Sequence, residues 1–292
     1  MLQPPAETNV RERVVLAGLV GRDIAFSRTP AMHEAEGRAE GIDLTYKLFD
    51  MDDQALVGRT LADIVESAEA DGFAGLNVTH PYKIEAIGLV HELSDSARAV
   101  GAVNTIVFRD GQRKGHNTDL WGFAQGFRFG MPDATMREVL LLGAGGAGGA
   151  VAHALLSLGV RRLWIFDIDP ERARRLADVL SSQFGAERIA MASSAESVAE
   201  HLSGVVNATP VGTARHPGSP FPHALLRSGL WVVDIVYVPL ETQFLAAARA
   251  AGCRVLSGSG MAVFQAVRAF ELFTGKKPDP SRMRRTFEAL GP

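Results

Sequence analysis

Cysteine is almost absent from this sequence, and neither sign of charge is in excess. The one cysteine, Cys253, cannot form an internal disulfide bond, and no charged segment followed by an apolar one opens the chain, so we expect a reducing, cytoplasmic location. The 30 Lys+Arg residues nearly cancel the 33 Asp+Glu residues and form no basic block. We therefore expect a small-molecule partner, and we expect no binding to nucleic acid or to a membrane surface.

One stretch without charged side chains, residues 139–160, has the length of a membrane span. Its composition argues against one, because glycines crowd the segment from Gly143 to Gly149, where a lipid-exposed helix would carry Leu, Ile and Phe. His153 lies in the same stretch. We predict no transmembrane helix.

The pattern of apolar residues predicts an α/β fold with two domains. At roughly 150 residues per domain, 292 residues suggest two. Residues 139–142 form a continuous apolar run, typical of a strand buried on both faces of a parallel sheet. The regular alternation that follows predicts a Rossmann-type, doubly wound dinucleotide-binding domain over residues 120–257. The helical segments after Gly258 lack strands of their own, so we expect them to return to an N-terminal α/β substrate domain, residues 1–119 plus 258–292.

The glycine-rich loop before the central helix is the strongest motif. It fits G-x-G-x-x-G, follows an apolar strand, precedes a helix, and is followed about 20 residues later by Asp167 at a strand end. These glycines would permit a tight turn, close approach of a pyrophosphate and close helix-strand packing. The alternative is a glycine-rich packing turn. The predicted cofactor loop comprises Gly143, Ala144, Gly145, Gly146, Ala147 and Gly148.

The acidic side chain of Asp167 favours NAD over NADP. A carboxylate at this strand end can accept hydrogen bonds from both ribose hydroxyls of NAD and repels a 2'-phosphate. Arg172, Arg174 and Arg175 follow on the next helix, and they would be either phosphate ligands or, as we prefer, a solvated basic helix face.

Two further polar segments lie at predicted strand ends. Lys83 follows a strand ending near Asn77, and Pro81 is expected to open a helix that runs toward Ala99. Asp119 precedes another helix and is well placed to be its N-cap. Without the other segments, Lys83 is equally consistent with a surface lysine and with a catalytic base. Asp119, without them, is best explained as a helix cap.

Eight motifs occur in order along the chain: SRTPAMH from Ser27, NVTHPYK from Asn77, GAVNT from Gly101, HNTD from His116, GAGGAGGA from Gly143, NATPVG from Asn207, DIVYVPLET from Asp234 and GMAVFQA from Gly260. Their order resembles the shikimate/quinate dehydrogenase family, and within it the bacterial NAD-dependent branch. The resemblance extends from about residue 15 to the C-terminal end.

The resemblance implies a reversible, NAD-dependent oxidation of quinate and/or shikimate to the 3-dehydro ketone, without a metal ion. Lys83 and Asp119 would be the catalytic pair. Ser27, Thr29 and Tyr237 would bind the substrate carboxylate, and Asn77, Thr79, Asn104 and Gln265 would bind the ring hydroxyls; for Gln265 the alternative is an exposed helix position. Asn207, Thr209, Ile235, Gly258 and Met261 would border the nucleotide and the nicotinamide.

Two departures from the NADP-dependent biosynthetic branch bear on specificity. Thr29 replaces a serine of that branch and adds a methyl group beside the carboxylate, which the resemblance associates with quinate acceptance. Asp167 and Ile168 replace an Asn-Arg pair, which removes a partner for the 2'-phosphate. The alternatives left open are an NADP-dependent biosynthetic shikimate dehydrogenase and, more remotely, a dinucleotide-sensing protein without catalysis. The sequence does not decide between quinate and shikimate, or between a monomer and a homodimer.

Overall fold

The computed structural model of the protein describes residues 13–291 and contains two six-stranded sheets. Residues 1–12 and 292 of the predicted first domain lie outside the described residues.

The first sheet is mixed. Its strand order is β2-β1-β3-β5-β6-β4, and β5 runs antiparallel to both β3 and β6. Helices α1 (Thr29–Ala39), α2 (Leu61–Ala70) and α3 (Asp95–Val100) belong to this part of the chain. The strands are β1 (Arg13–Gly21), β2 (Ile42–Asp50), β3 (Gly75–Val78), β4 (Glu92–Leu93), β5 (Thr105–Arg109) and β6 (Gln112–His116).

The second sheet is parallel throughout, in the order β12-β11-β10-β7-β8-β9, which is the doubly wound Rossmann arrangement. Its central strands are buried along almost their whole length, as the apolar run at residues 139–142 predicts. The strands are β7 (Glu138–Leu142), β8 (Arg162–Phe166), β9 (Ile189–Met191), β10 (Gly204–Asn207), β11 (Trp231–Asp234) and β12 (Arg254–Ser257). The helices here are α4 (Thr118–Gly130), α5 (Gly146–Ser157), α6 (Pro170–Phe184) and α7 (Gln243–Ala250).

The last two helices, α8 (Ser259–Thr274) and α9 (Pro280–Ala289), return to the first sheet. Phe270 and Phe273 of α8 enter the same apolar core as Val15 and Tyr46 of the first sheet. On α9, Phe287 packs in a second cluster with residues of α1 and α8. The predicted α/β class, with its Rossmann-type sheet and returning helices, is confirmed.

The helix predicted from Pro81 toward Ala99 is wrong. The chain there forms a turn, a short 3-10 helix (Glu85–Leu89), strand β4 and helix α3. The backbone N–H of His91 donates to Arg113 and that of Ser94 donates to Gly115, so this segment pairs with the β5-β6 hairpin. Hydrogen bonds to residues distant in sequence therefore override the local helical pattern.

Within residues 13–291, no helix combines the length and the apolar character that crossing a bilayer requires.

Candidate active site

Lys83 and Asp119 form an ion pair just beyond the carboxyl end of β3. The Lys83 Nζ atom lies 2.6 Å from Asp119 Oδ2, and the two side chains are 16% and 7% exposed. The backbone carbonyl of Lys83 accepts a hydrogen bond from the N–H of Val103, which holds the lysine against the start of β5. A hydrogen-bonded amine held this way is able to exchange a proton with a bound hydroxyl group.

Asp119 is not the N-cap of α4, contrary to the prediction. Asn117 occupies that position: its side-chain oxygen accepts a hydrogen bond from Leu120 N–H at 3.1 Å. The amide nitrogen of Asn117 donates to the carbonyl of Ala102 at 3.0 Å, which fixes the helix start to the preceding loop. Because Asn117 satisfies the helix end, the Asp119 carboxylate is available to pair with Lys83.

A chain of buried hydrogen bonds connects β2 to the first residue of α4. Tyr46 Oη donates to Asn77 Oδ1 at 2.6 Å, and Asn77 Nδ2 donates to Thr105 Oγ1 at 2.9 Å. Thr105 Oγ1 donates to Asn104 Oδ1, and Asn104 Nδ2 donates to Thr118 Oγ1. The N–H of Thr118 also donates to Asn104 Oδ1 at 2.7 Å. The network thereby sets the position of the residue that precedes Asp119.

Sequence reasoning missed three members of this network: Tyr46, Thr105 and Thr118. The strand alternation of β2 places Tyr46 at a buried register position, where a hydroxyl group needs a partner. That signal was available in the sequence. Thr105 and Thr118 lie inside the GAVNT and HNTD motifs, but only the registration of β5 against β3 brings Thr105 opposite Asn77.

The hydroxyl groups of Ser27 and Thr29 lie together at the start of α1. Ser27 Oγ donates to Thr29 Oγ1 at 3.1 Å and accepts from the Thr29 N–H at 3.3 Å. Thr29 is buried and Ser27 is half-buried. Thr79 follows β3, where its N–H donates to the carbonyl of Val20 at 2.9 Å, so it lies at the same edge of the sheet as Asn77.

Glycines let α4, which carries Asp119, approach α8, which carries Gln265. A Cβ atom at Gly122 would lie 2.7 Å from the backbone nitrogen of Gln265, and one at Gly126 would lie 2.9 Å from the Gly260 carbonyl carbon. Gln265 is half-buried, and its Nε2 donates to the carbonyl of Ala262 at 3.0 Å.

Tyr237 follows β11 and packs against α9. Its ring centroid lies 6.0 Å from that of Phe287. Burial raises the pKa of the Tyr237 hydroxyl above its usual value, the positive charge of Arg28 acts in the opposite direction, and the negative charge of Asp119 adds to the increase. Tyr237 therefore lies within electrostatic range of both Asp119 and Arg28.

The glycine loop after β7 has the geometry expected of a phosphate-binding turn. Gly143 has a φ of 99°, a conformation that favours glycine, and a Cβ atom at Gly148 would lie 2.1 Å from the Gly143 carbonyl oxygen. A Cβ atom at Gly145 would meet no other atom within 4 Å. No side chain caps the N-terminus of α5, so its first N–H groups are available to an anion, and the loop fits a dinucleotide.

The same loop lies against the lysine of the ion pair. A Cβ atom at Gly146 would be 3.5 Å from Lys83 Cβ and 4.0 Å from Ala102 Cβ. The start of α5 and the Lys83-Asp119 pair therefore share one cleft between the two sheets.

Asp167 lies at the end of β8 and holds the glycine loop. Its Oδ2 accepts from the N–H of Ala144 at 2.7 Å, and its Oδ1 accepts from the N–H of Asp169 at 2.9 Å. A surface depression of about 440 Å³ adjoins it. This depression is lined by Phe166, Asp167, Ile168, Pro170, Ala173, Met191, Ala192 and Ser193.

The three arginines on α6 differ in their contacts. Arg172 Nε lies 3.3 Å from Asp169 Oδ2, and Arg174 Nη2 lies 2.6 Å from Glu171 Oε2. Arg175 is exposed on the same helix. Arg172 and Arg174 are thus each paired with an acidic residue at the N-terminal end of α6.

The remaining predicted cofactor residues lie at the carboxyl ends of β10, β11 and β12 and in the first turn of α8. Asn207 is fully buried and uses its side chain within its own loop: Nδ2 donates to Asp234 Oδ1 and to the Val211 carbonyl, while Oδ1 accepts from the N–H and the hydroxyl of Thr209. Asn207 therefore shapes this loop. Ile235, Gly258 and Met261 line one small cleft near the end of β11.

In the described part of the chain, no group of three or more His, Cys, Asp or Glu side chains is arranged to hold a metal ion.

Two family patterns match the chain. Residues 19–106 match the shikimate dehydrogenase substrate binding domain, and residues 258–286 match the shikimate 5'-dehydrogenase C-terminal domain. The two matched segments are the ones whose helices and strands lie on the first sheet.

Full-length relatives show the same similarity. The chain is 50% identical to the quinate/shikimate dehydrogenase (NAD(+)) of Corynebacterium efficiens, over 94% of this chain and 98% of that protein. It is also 50% identical to the shikimate dehydrogenase (NADP(+)) of Streptomyces avermitilis, over 92% and 93%. Among solved structures, quinate dehydrogenase from Corynebacterium glutamicum in complex with NAD matches with a TM-score of 0.89 and 45% identity, covering 95% of this chain and 100% of that one.

The Rossmann-type sheet and the cleft beside it define the class of two-sheet, dinucleotide-binding dehydrogenases. With relatives at this level of identity over nearly their whole length, the chain belongs to the shikimate/quinate dehydrogenase family. The family resemblance found in the sequence is confirmed.

Proposed function

We propose that this chain is an NAD-dependent dehydrogenase that reversibly oxidises quinate and/or shikimate to 3-dehydroquinate and/or 3-dehydroshikimate. The observation that carries the proposal is the Lys83-Asp119 ion pair, held at 2.6 Å beside the uncapped start of α5. The relatives from Corynebacterium, a quinate/shikimate dehydrogenase (NAD(+)) and a quinate dehydrogenase in complex with NAD, support the same reaction.

The chemistry assigns one task to each member of the pair. Alcohol oxidation removes a hydride from the carbon and a proton from its hydroxyl group, which leaves the ketone. NAD, when bound, supplies the hydride acceptor. In reduction the Lys83 ammonium of the ion pair gives a proton to the forming hydroxyl group, and in oxidation the neutral Lys83 amine takes that proton back. Asp119 orients the Lys83 amine and accepts a hydrogen bond from the substrate hydroxyl.

We assign the other polar side chains of the first sheet and of its neighbours to the substrate. The hydroxyl pair of Ser27 and Thr29 binds the carboxylate together with Tyr237. The ring hydroxyls contact the polar groups near Lys83, which come from β3, the β5 start and α8. These are Asn77, Thr79, Asn104 and Gln265.

We assign NAD to the glycine loop, with the pyrophosphate at the start of α5 and the ribose hydroxyls at Asp167. The carboxylate of Asp167 disfavours a 2'-phosphate, and the nearest arginines, Arg172 and Arg174, already pair with acidic side chains. The proposed cofactor residues are Gly143, Ala144, Gly145, Gly146, Ala147, Gly148, Asp167, Asn207, Thr209, Ile235, Gly258 and Met261.

For the domain limits we propose residues 1–119 plus 258–292 for the substrate domain and residues 120–257 for the nucleotide domain. The separation of β1–β6 from β7–β12 into two sheets supports this division. We also propose a cytoplasmic enzyme that acts on small molecules as a monomer or a homodimer; light scattering after size-exclusion chromatography distinguishes the two.

Initial rates with quinate and with shikimate, each with NAD and with NADP, test the proposal. We expect turnover with NAD and a kcat/KM at least tenfold lower with NADP, because Asp167 repels the extra phosphate. A preference for NADP and shikimate would instead indicate that this chain is an NADP-dependent shikimate dehydrogenase, like the relative from Streptomyces avermitilis. Binding of NAD without turnover of quinate or shikimate would indicate a dinucleotide-sensing protein without catalysis.

A further inference from the structure

Arg28 is a buried arginine that the proposed chemistry does not use. It lies between Ser27 and Thr29, the two residues assigned to the substrate carboxylate, and only 7% of its surface is exposed. Arginine remains protonated in proteins, so the loop that carries these hydroxyl groups also carries a full positive charge.

The contacts of Arg28 are with carbonyl groups and an aromatic ring. Its Nη1 donates to the backbone carbonyl of Phe287 at 3.0 Å, and its Nη2 donates to the carbonyl of Gly291. The guanidinium carbon lies 4.6 Å from the centroid of the Phe287 ring. Among residues 13–291, Arg28 forms no ion pair with a carboxylate, in contrast to Arg282 of α9, which binds Glu36 of α1 and Glu40 just after it.

This environment only partly compensates a buried cation. Carbonyl oxygens at the C-terminal end of α9 and the face of an aromatic ring both favour positive charge. Neither neutralises it, and a buried charge without a counter-ion is unfavourable. A bound carboxylate would supply the missing negative charge.

The position of Arg28 relative to the carboxylate ligands fits this role. Its neighbours in sequence present the Ser27-Thr29 hydroxyl pair. Phe287, which stacks on the guanidinium, also contacts the ring of Tyr237, the third proposed carboxylate ligand. The positive charge of Arg28 lowers the pKa of the Tyr237 hydroxyl against the effect of burial, so the two groups interact electrostatically.

We propose that Arg28 is a positioning residue that makes this site selective for carboxylate substrates over neutral ones: its uncompensated charge stabilises the acid bound at Ser27, Thr29 and Tyr237. The inference rests on the proposed function, because it takes the substrate to be a hydroxylated ring carboxylate. It deepens that proposal by assigning the charge that discriminates the acid from an uncharged analogue of the same shape.

Two variants separate charge from packing. Arg28→Lys keeps the charge and loses the hydrogen bonds to α9, whereas Arg28→Met keeps much of the volume and loses both. We expect Arg28→Met to raise the KM for quinate about tenfold, equivalent to about 1.4 kcal/mol, with kcat changed less. Arg28→Lys should recover most of the loss. For quinate methyl ester, used as a substrate or as a competitive inhibitor, we expect all three proteins to agree within about twofold.

A matched control addresses the anchoring of α9. Arg282→Lys weakens the contact of α9 with Glu36 and Glu40 while it leaves the charge in place. We expect it to lower the melting temperature without changing the ratio of the acid KM to the ester KM.

Equal losses for acid and ester in both Arg28 variants would overturn the inference and leave Arg28 as an anchor of α9. An unchanged quinate KM in Arg28→Met would also overturn it. If the ester binds to none of the proteins, the quinate KM values of the two variants decide. A KM that is raised in Arg28→Met and largely recovered in Arg28→Lys supports the inference, and equal KM values in the two variants overturn it. A wild-type protein that oxidises neither acid would overturn the proposed function itself, and the inference with it.

Discussion

The two sheets supply their halves of the cleft in different ways. In the second sheet the proposed cofactor loop is one continuous segment, Gly143 to Gly148, that directly follows a buried strand, and its acidic partner Asp167 directly follows the next strand. In the first sheet and its associated helices, the proposed substrate ligands come from widely separated elements, joined by hydrogen bonds such as those of Asn77. A cofactor loop is a local motif, whereas this substrate site depends on tertiary contacts.

The largest expected effect is on the ion pair. Lys83→Met removes the proton acceptor, and we expect kcat to fall by about 10²- to 10⁴-fold with little change in the KM for NAD, because the glycine loop is untouched. NADH absorbance in steady-state assays measures both. Lys114→Met is the matched control, because Lys114 forms an exposed ion pair with Glu92 at 2.6 Å and should leave kcat unchanged. Turnover at the wild-type level in Lys83→Met would show that Lys83 is not the proton acceptor.

Two glycines of the loop should respond differently to alanine. In Gly148→Ala the new Cβ would lie 2.1 Å from the Gly143 carbonyl oxygen, so the loop must move, and we expect about 1–3 kcal/mol of lost stability together with weaker NAD binding. In Gly145→Ala the Cβ meets no atom of the protein, so we expect normal stability and a higher KM for NAD, because the methyl group projects into the phosphate space.

Gly88→Ala in the first half is the control for both glycine variants, since its Cβ would also meet open space and Gly88 lies outside the glycine loop. Chemical denaturation and NAD titration measure the two effects. Equal NAD affinity in Gly145→Ala and Gly88→Ala would contradict the placement of the pyrophosphate.

Each half of the molecule also contains a histidine that is largely withdrawn from solvent, and this predicts sensitivity to acid. Burial lowers the pKa of His33 to about 3, and neither of its ring nitrogens has a hydrogen-bond partner. Because the unfolded chain binds this proton near pH 6.5 and the folded chain does not, stability is complete above pH 6.5. Below it, stability should fall by about 1.4 kcal/mol per pH unit until the pH reaches about 3.

Urea denaturation between pH 7 and pH 4 measures this loss, and His33→Leu should remove the share that His33 contributes. Burial also lowers the pKa of His116 to about 4, so His116 contributes over the same pH range. Burial also lowers the pKa of His153, in the other half, so His153→Leu shows which half contributes more to acid sensitivity. An unchanged pH dependence in His33→Leu would refute the assignment.

The smallest effect concerns the hydrogen-bond network. Tyr46→Phe leaves the Asn77 oxygen without its donor, and we expect about 1–2 kcal/mol of lost stability and a higher substrate KM, with NAD binding unchanged. Tyr82→Phe is the control, since Tyr82 only accepts a bond from the largely exposed Arg22. A Tyr46→Phe variant as stable and active as Tyr82→Phe would show that the network has no role.

Local sequence signals predicted the second half of the fold well. The apolar run at residues 139–142 forms the buried strand β7, and Asp169 with Pro170 begins α6 as an N-cap followed by proline. Such signals act over a few residues, and the parallel sheet repeats one strand-helix unit, so the local pattern and the tertiary fold agree.

The first half shows where local signals fail. The segment after Pro81 has helical spacing, but the hydrogen bonds of His91 and Ser94 to the β5-β6 hairpin make it irregular. Asp119 has the chemistry of an N-cap, yet Asn117 performs that role. The side-chain oxygen of Asn117 caps the helix while its side-chain nitrogen donates to the carbonyl of Ala102. In both places, contacts with residues distant in sequence determine the outcome.

The sequence by itself determined the alternation of strands and helices, the glycine loop with Asp167, and the family, since these depend on short patterns of residue type. Only the tertiary structure decided that Lys83 and Asp119 lie 2.6 Å apart, that Tyr46 connects to Asn77, and that Arg28 is buried against Phe287. The physical reason is distance along the chain: hydrogen bonds and buried charges are set by packing between elements, which no local pattern encodes.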